Sequence, residues 1–241
     1  MTNILITGSS NGIGESIAAL LAGSGHSVFL TGRDETKLAC LQSHIGAKGY
    51  FAIDLLRENA ADILYNKAKE ALGGIEVLIN NAGGYFYGKV EDTSISDINR
   101  LVRLNTIVPY ELISLCVKDM KSASFGRIIN IGSISGVVGE ANASLYSMTK
   151  SAFTGMTKAL ALELAAFNIT VNTISPGFVK TRLLEESFDE CFTKEELTDM
   201  IPQSRFIEPV EIANLVRYLI SQEAKGVTGQ NINLCAGMSV G

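Results

Sequence analysis

Short apolar runs rich in valine and isoleucine recur along this chain, each followed by a longer segment with helical spacing, and that alternation most constrains its fold. Ile4–Thr7, Ser27–Thr31, Tyr50–Ile53, Val77–Asn80, Ile128–Ile131, Thr170–Ile174 and Asn231–Leu234 read as strands. Between them, helices are expected at Ile13–Ser24, Glu35–Ser43, Asn59–Leu72, Ser96–Ser122, Leu145–Phe167 and Val210–Ser221. Strand and helix in strict alternation imply a parallel sheet with helices on both faces. Strands that are apolar throughout, rather than at every second residue, imply the same. Right-handed crossovers then give a doubly wound, Rossmann-type α/β fold.

A chain of 241 residues can bury a large core and remain one domain. No repeat, low-complexity tract or Pro/Ser-rich linker divides it, so one domain over residues 1–241 is expected. The net charge of −5 argues against nucleic acid or an anionic membrane as partner. Cys40, Cys116, Cys191 and Cys235 lack zinc-site or redox spacing. They read as buried free thiols of a reducing compartment. No segment reaches membrane-spanning length, and Met1–Gly8 lacks the pattern of a signal peptide, so a cytoplasmic location is expected. The rhythm breaks from Pro176 to Glu208, a charged, weakly periodic stretch, and residues 177–208 read as a lid or substrate loop, or else as surface decoration.

Thr7-Gly8-Ser9-Ser10-Asn11-Gly12-Ile13-Gly14 follows the first strand and opens the first helix. Glycines there let the backbone approach a pyrophosphate resting on the helix N-terminus, although an ordinary strand–helix turn has a similar composition. The loop lacks the Lys-Ser/Thr of a P-loop, which argues against an NTPase. Tyr146 and Lys150 stand four residues apart on one helical face. A nearby cation lowers a phenol's pKa from its usual value of ~10. With a bound cofactor's positive ring assisting, a drop of two to three pH units is expected, although the pair alone also fits a half-buried tyrosine beside a solvated lysine. Ser133 closes the Ile128–Gly132 strand, so its hydroxyl is expected at the carboxyl edge of the sheet, where open α/β folds bind ligands. His26 and His44 fall near helix–strand junctions, which leaves a Ser–His hydrolase without its base; no metal site is expected.

Over nearly its whole length the chain resembles the short-chain dehydrogenase/reductase family. The resemblance rests on Thr7–Gly14, Asn80-Asn81-Ala82-Gly83, Asn105, Ser133, Tyr146/Lys150 and Pro176-Gly177, in that order and spacing. It implies a dinucleotide held by Gly8, Ser10, Asn11, Gly12, Ile13 and Gly14 at the phosphates. Asp54 and Leu55 would meet the adenine, Asn81, Ala82 and Gly83 the ribose, and Pro176, Gly177, Val179 and Thr181 the carboxamide side. The 13-residue interval from Ser133 to Tyr146 is the family's, which sets aside Ser135. The implied chemistry is hydride transfer from NADPH to a ketone. Tyr146 acts as general acid, Ser133 bonds the same oxygen, Lys150 holds the phenol acidic and binds the ribose, and Asn105 joins a water relay to Lys150. A helix N-cap role remains open for Asp54, and a solvated polar role for Asn105.

Gly32 stands where NAD-preferring enzymes place an acid, and Arg33 follows it. An arginine fork suits a ribose 2′-phosphate, so NADP(H) is expected ahead of NAD(H), tempered by Asp34 beside Arg33. Gly126–Ser133 and Asn233–Met238 resemble bacterial 3-oxoacyl-[acyl-carrier-protein] reductases. The arginines those enzymes offer to the acidic carrier protein are replaced here by Ser124 and Phe167. A 3-oxoacyl thioester is therefore the first substrate reading, and a free, cyclic or specialised-metabolite ketone the second. A non-catalytic NADP sensor is the third. Tyr85, Phe86, Tyr87, Phe188 and Phe192 suggest an aromatic pocket, or core packing. The two longest helices exceed what one sheet face needs, and relatives pair such helices, so a homotetramer is expected.

Overall fold

A computed structural model of the protein describes residues 1–181, 184 and 193–239. Seven strands form one parallel sheet in the order β3-β2-β1-β4-β5-β6-β7. They are β1 Asn3–Ile6, β2 Ser27–Gly32, β3 Gly49–Ala52, β4 Val77–Asn80, β5 Gly126–Ile131, β6 Ile169–Pro176 and β7 Asn231–Leu234. Each expected strand lies within two residues of its observed ends. The winding reverses at β1, which pairs with β2 on one side and β4 on the other. Crevices at such reversals, at the carboxyl ends of strands, are where doubly wound sheets bind ligands.

The helices are α1 Gly12–Gly23, α2 Glu35–Ile45, α3 Ala60–Leu72, α4 Ile95–Val102, α5 Val108–Ala123, α6 Ser135–Val138, α7 Ser144–Leu164, α8 Lys194–Asp199 and α9 Pro209–Ile220. Alternate strand residues feed two cores, one on each face of the sheet. Ile4 and Ile6 pack with α1 and α9, while Leu5 packs with α3, α5 and α7. This two-sided burial is why central strands such as Val77–Asn80 carry successive rather than alternating apolar residues.

The helix expected over Ser96–Ser122 is two helices, joined by a π-helical turn at Arg103–Ile107. Pro109 gives the reason. It has no N–H for the carbonyl of Asn105, and its ring would crowd that carbonyl in a continuous α-helix. The wider turn accommodates the proline, and an ion pair from Arg103 to Glu111 at 2.5 Å spans it. Asn105 sits fully buried at the centre of the turn, which excludes the solvated reading. None of the helices among the described residues is long and apolar enough to cross a membrane.

Candidate active site

The carboxyl ends of β4, β5 and β6, with Ile13 of α1, converge on an open cleft of about 200 Å³. Its lining includes Ile13, Asn81, Gly83, Ser133, Tyr146, Lys150, Pro176, Gly177, Val179 and Thr181. Segments distant in sequence, which the motif spacing alone could only associate, thus meet in one place.

The glycines of the first loop have separate reasons. Gly8 and Gly12 hold positive φ of 65° and 56°, the region open to glycine without a Cβ clash. A Cβ on Gly14 would lie 2.2 Å from the Gly8 carbonyl oxygen and 2.5 Å from Asn81 Nδ2. Asn81 braces this loop: its Nδ2 donates to the carbonyls of Thr7 and Gly8, both at 2.9 Å. The main-chain N–H groups of Asn81 and Ala82 donate to Thr7 Oγ1 at 2.9 and 3.0 Å. Asn11 occupies the N-cap of α1 in extended conformation, and its side chain caps nothing. A helix N-terminus with no side-chain cap, beside a glycine loop that any Cβ would fill, fits a pyrophosphate.

Beyond β2, Gly32 leaves room for Ser10, whose Oγ would be 2.9 Å from a Cβ at that position. Arg33 is exposed beside it. Asp34 is turned to its own helix, its Oδ1 accepting the Lys37 N–H at 3.0 Å and its Oδ2 lying 3.9 Å from Lys37 Nζ. Asp34 is therefore committed to α2 rather than to Arg33. Asp54, past the end of β3, accepts the Leu56 N–H at 2.9 Å. The N-cap of α3 is Asn59, so the helix-cap reading of Asp54 is corrected to a local turn. Leu55 turns its side chain into the core, which leaves only its main chain for a ligand.

At the chemical end, Lys150 is buried on α7 and its Nζ donates to the Ile131 carbonyl at 2.9 Å. It lies 5.8 Å from the centroid of the Tyr146 ring. A Cβ on Gly83 would sit 3.3 Å from Asn105 Oδ1 and 3.4 Å from Lys150 Nζ. The bare backbone at Gly83 is what lets these two side chains flank the segment. Asn105 fixes that segment: Oδ1 accepts the Gly84 N–H at 2.8 Å, and Nδ2 donates to the Gly84 carbonyl at 2.9 Å and to Thr149 Oγ1 at 3.0 Å.

The lowered Tyr146 pKa expected from its lysine and a bound cofactor is absent from the protein alone. Desolvation pushes the phenol up to about 12; the Ser133 hydroxyl acts to lower it, and the charge of Glu140 raises it further. Burial meanwhile pushes Lys150 down to about 8. Its ammonium donates to the Ile131 carbonyl rather than to the phenol oxygen. Any lowering has to come with a cofactor seated in the cleft.

A family model described as enoyl-(acyl carrier protein) reductase matches residues 8–239. Nodulation protein G of Rhizobium sp. (strain N33) is 35% identical over 237 residues, covering 98% of this chain and 96% of the relative. The 3-oxoacyl-[acyl-carrier-protein] reductase FabG of Aquifex aeolicus is 33% identical over 239 residues, covering 97% and 96%. This chain belongs to the short-chain dehydrogenase/reductase family. Its members are oxidoreductases of CH–OH and C=O groups, and so is this protein. A solved single-residue variant of actinorhodin polyketide ketoreductase with NADPH superimposes with a TM-score of 0.93 at 32% identity, covering 98% of this chain and 96% of that one.

Within this dehydrogenase/reductase site, three residues escaped the motif reading. Glu140 lines the cleft and accepts hydrogen bonds from Tyr85 Oη at Oε1 and from Ser135 Oγ at Oε2, both at 2.6 Å. Ser135, set aside by spacing, lies 3.1 Å from Ser133 Oγ and also donates its N–H to that oxygen at 3.1 Å. Thr149 orients Asn105. The available signal was an acidic residue in Gly139-Glu140-Ala141-Asn142, between two reacting hydroxyls. Of the aromatic residues expected in the pocket, Tyr85 lines it and meets the Tyr146 ring edge-on, centroids 4.9 Å apart. Phe188, Phe192 and Cys191 lie outside the described residues. Cys40 is exposed, contrary to the buried-thiol expectation, while Cys116 and Cys235 are buried. Near the lost arginines, Lys121 Nζ sits 4.6 Å from the Phe167 ring centroid, which returns one cation to that surface.

Proposed function

We propose that this enzyme is an NADPH-dependent ketoreductase that converts a 3-oxoacyl thioester or similar β-keto substrate to a secondary alcohol. The observation that carries the reading is the meeting of Ser133, Tyr146 and Lys150 in one cleft with Ile13 at the end of the glycine loop. The phosphates would rest on Gly8–Gly14, the 2′-phosphate on Arg33, the adenine beside Asp54 and the Leu55 main chain, and the nicotinamide half among Gly83, Pro176, Gly177, Val179 and Thr181. NADPH, when bound, supplies the hydride. Tyr146 gives its proton to the oxygen that becomes the alcohol, and a phenol held protonated is a suitable acid for that step. Ser133 bonds the same oxygen. Lys150, facing Gly83, stabilises the phenolate left behind and binds the ribose hydroxyls. Asn105 keeps Gly83–Gly84 against Lys150 and starts the water path that restores the proton. NAD(H) is the second-choice cofactor. Residues 177–208 serve as the substrate loop in this reading; 182–183 and 185–192 of that stretch lie outside the described residues.

Two observations support a ketone not attached to carrier protein as the second reading: Ser124 and Phe167 in place of the arginines, and the Glu140 carboxylate in the cleft. Loss of cations slows encounter with an acidic partner. Turnover with NADPH on an acetoacetyl thioester, set against free ketones and cyclic alcohols, separates the two. An inert thioester removes the first reading; inertness across the whole panel removes ketone reduction and leaves a non-catalytic NADP sensor.

A further inference from the structure

Glu140 belongs to no step above, yet its carboxylate determines where hydroxyl protons lie on the catalytic side of the cleft. A carboxylate accepts hydrogen bonds and donates none. Ser135 is 2.6 Å from Glu140 Oε2, so the single Ser135 hydroxyl proton points to Glu140. At the 3.1 Å contact between Ser135 and Ser133, Ser135 can then only accept, and Ser133 is the donor. That commits the one proton Ser133 owns. Ser133 Oγ also accepts the Ser135 N–H, and toward a protonated Tyr146 it presents a lone pair; only a phenolate draws the Ser133 proton away from Ser135. Tyr85, the other partner of Glu140 at 2.6 Å, donates as well and leaves this direction unchanged. The loop itself is pinned: Gly88 N–H donates to the Asn142 carbonyl at 2.6 Å, and Asn142 Nδ2 donates to Tyr87 Oη at 3.1 Å.

We propose that Glu140 is a positioning residue that, through Ser135, turns Ser133 into a hydrogen-bond acceptor and so makes the site favour the alcohol over the ketone in binding. An alcohol brings a proton for the Ser133 lone pair. A ketone oxygen brings none, and it receives a hydrogen bond from Ser133 only after Ser133 releases Ser135. Ketone capture then depends on Tyr146 alone, while the product alcohol is held by both hydroxyls. The charge of Glu140 also helps keep Tyr146 protonated, which suits its role as donor to the ketone.

The inference rests on the ketoreductase reading, and the experiment keeps the two apart. Michaelis constants are measured in both directions, for a ketone with NADPH and its alcohol with NADP⁺, in the wild type and in Ser135→Ala and Glu140→Ala. Either substitution frees the Ser133 proton to face the substrate. Each variant is expected to lower KM for the ketone and raise KM for the alcohol, moving their ratio about tenfold, the effect of one hydrogen bond. In a Ser133→Ala background, adding Ser135→Ala should leave the ratio unchanged. A substitution that merely loosens the loop raises both constants together. Either variant, folded and active, with a ratio within twofold of wild type or shifted the other way overturns the proposal. A wild-type protein that reduces no ketone fails the functional reading instead.

Discussion

Gly14→Ala offers a quantitative test of why the first loop carries glycine. The added Cβ would stand 2.2 Å from the Gly8 carbonyl oxygen and 2.5 Å from Asn81 Nδ2. Backbone lies on one side and a braced amide on the other, so the loop has to move by about 1 Å to reach ordinary van der Waals distance. That displacement breaks the hydrogen bonds from Asn81 Nδ2 to the Thr7 and Gly8 carbonyls. At about 1 kcal/mol each, their loss destabilises the fold by about 2 kcal/mol. The higher helix propensity of alanine offsets up to ~1 kcal/mol of this. The net, about 1–2 kcal/mol, lowers Tm by roughly 2–8 °C for a chain of this size. NADPH affinity should fall about tenfold or more, because the same movement withdraws the α1 amides from the pyrophosphate. Gly23→Ala is the matched control: its Cβ would meet nothing within 4 Å, so removing backbone freedom should stabilise by about 0.4–1 kcal/mol. Thermal melts and fluorescence titration with NADPH measure both effects. If Gly14→Ala melts no lower than wild type and binds NADPH within twofold, the steric argument is wrong.

Arg33→Ala should raise KM for NADPH ten- to a hundredfold, the effect of losing charged hydrogen bonds, and leave KM for NADH within twofold; equal effects on both would remove Arg33 from the 2′-phosphate. Burial holds Lys150 at about 8, below its unfolded value, so below about pH 8 the folded state carries the full penalty of a buried charge. Between about 8 and 10.5 the unfolded chain binds the extra proton, and stability from this group rises with pH. Lys150→Met should accordingly stabilise the cofactor-free protein at pH 7 by about 1–3 kcal/mol, with the advantage shrinking above pH 8; a difference flat across pH would contradict it. Ile107, Tyr110, Met148, Leu162 and Phe167 are large apolar residues left exposed on α5, α7 and their adjoining turns, and burying them between copies predicts a homotetramer in sedimentation. A lone monomer there refutes the assembly.

The sheet was legible because each strand carries its own signal: Val77-Leu78-Ile79-Asn80 needs no tertiary information to read as a buried strand. The carboxyl-edge position of Ser133 followed from the end of its strand. What was not legible depended on contacts between distant segments. The π turn was signalled locally by Pro109, but its purpose, turning Asn105 onto Gly84 and Thr149, involves residues 21 and 44 positions away. Asn81 appeared as a ligand contact, and its bracing of the first loop spans 74 positions. Glu140 was unreadable because a glutamate in a loop is ordinarily solvated; only the fold brings Tyr85, 55 positions away, to close on it. The Tyr146 expectation concerned the lysine together with a bound cofactor, and in the protein alone desolvation keeps the phenol high. Spacing shows that a cation is near, but not that its Nζ is directed at the Ile131 carbonyl.

The claim on which the account depends is that the Tyr146 hydroxyl supplies the proton to the substrate oxygen. Tyr146→Phe removes that one atom and keeps the ring against Tyr85. Single-turnover reduction and NADPH binding should be measured on the same preparation. The account predicts a rate lower by about 10²–10⁴-fold with NADPH affinity within about threefold of wild type, since one oxygen among many contacts contributes little to holding the dinucleotide. Reduction within tenfold of the wild-type rate would contradict it.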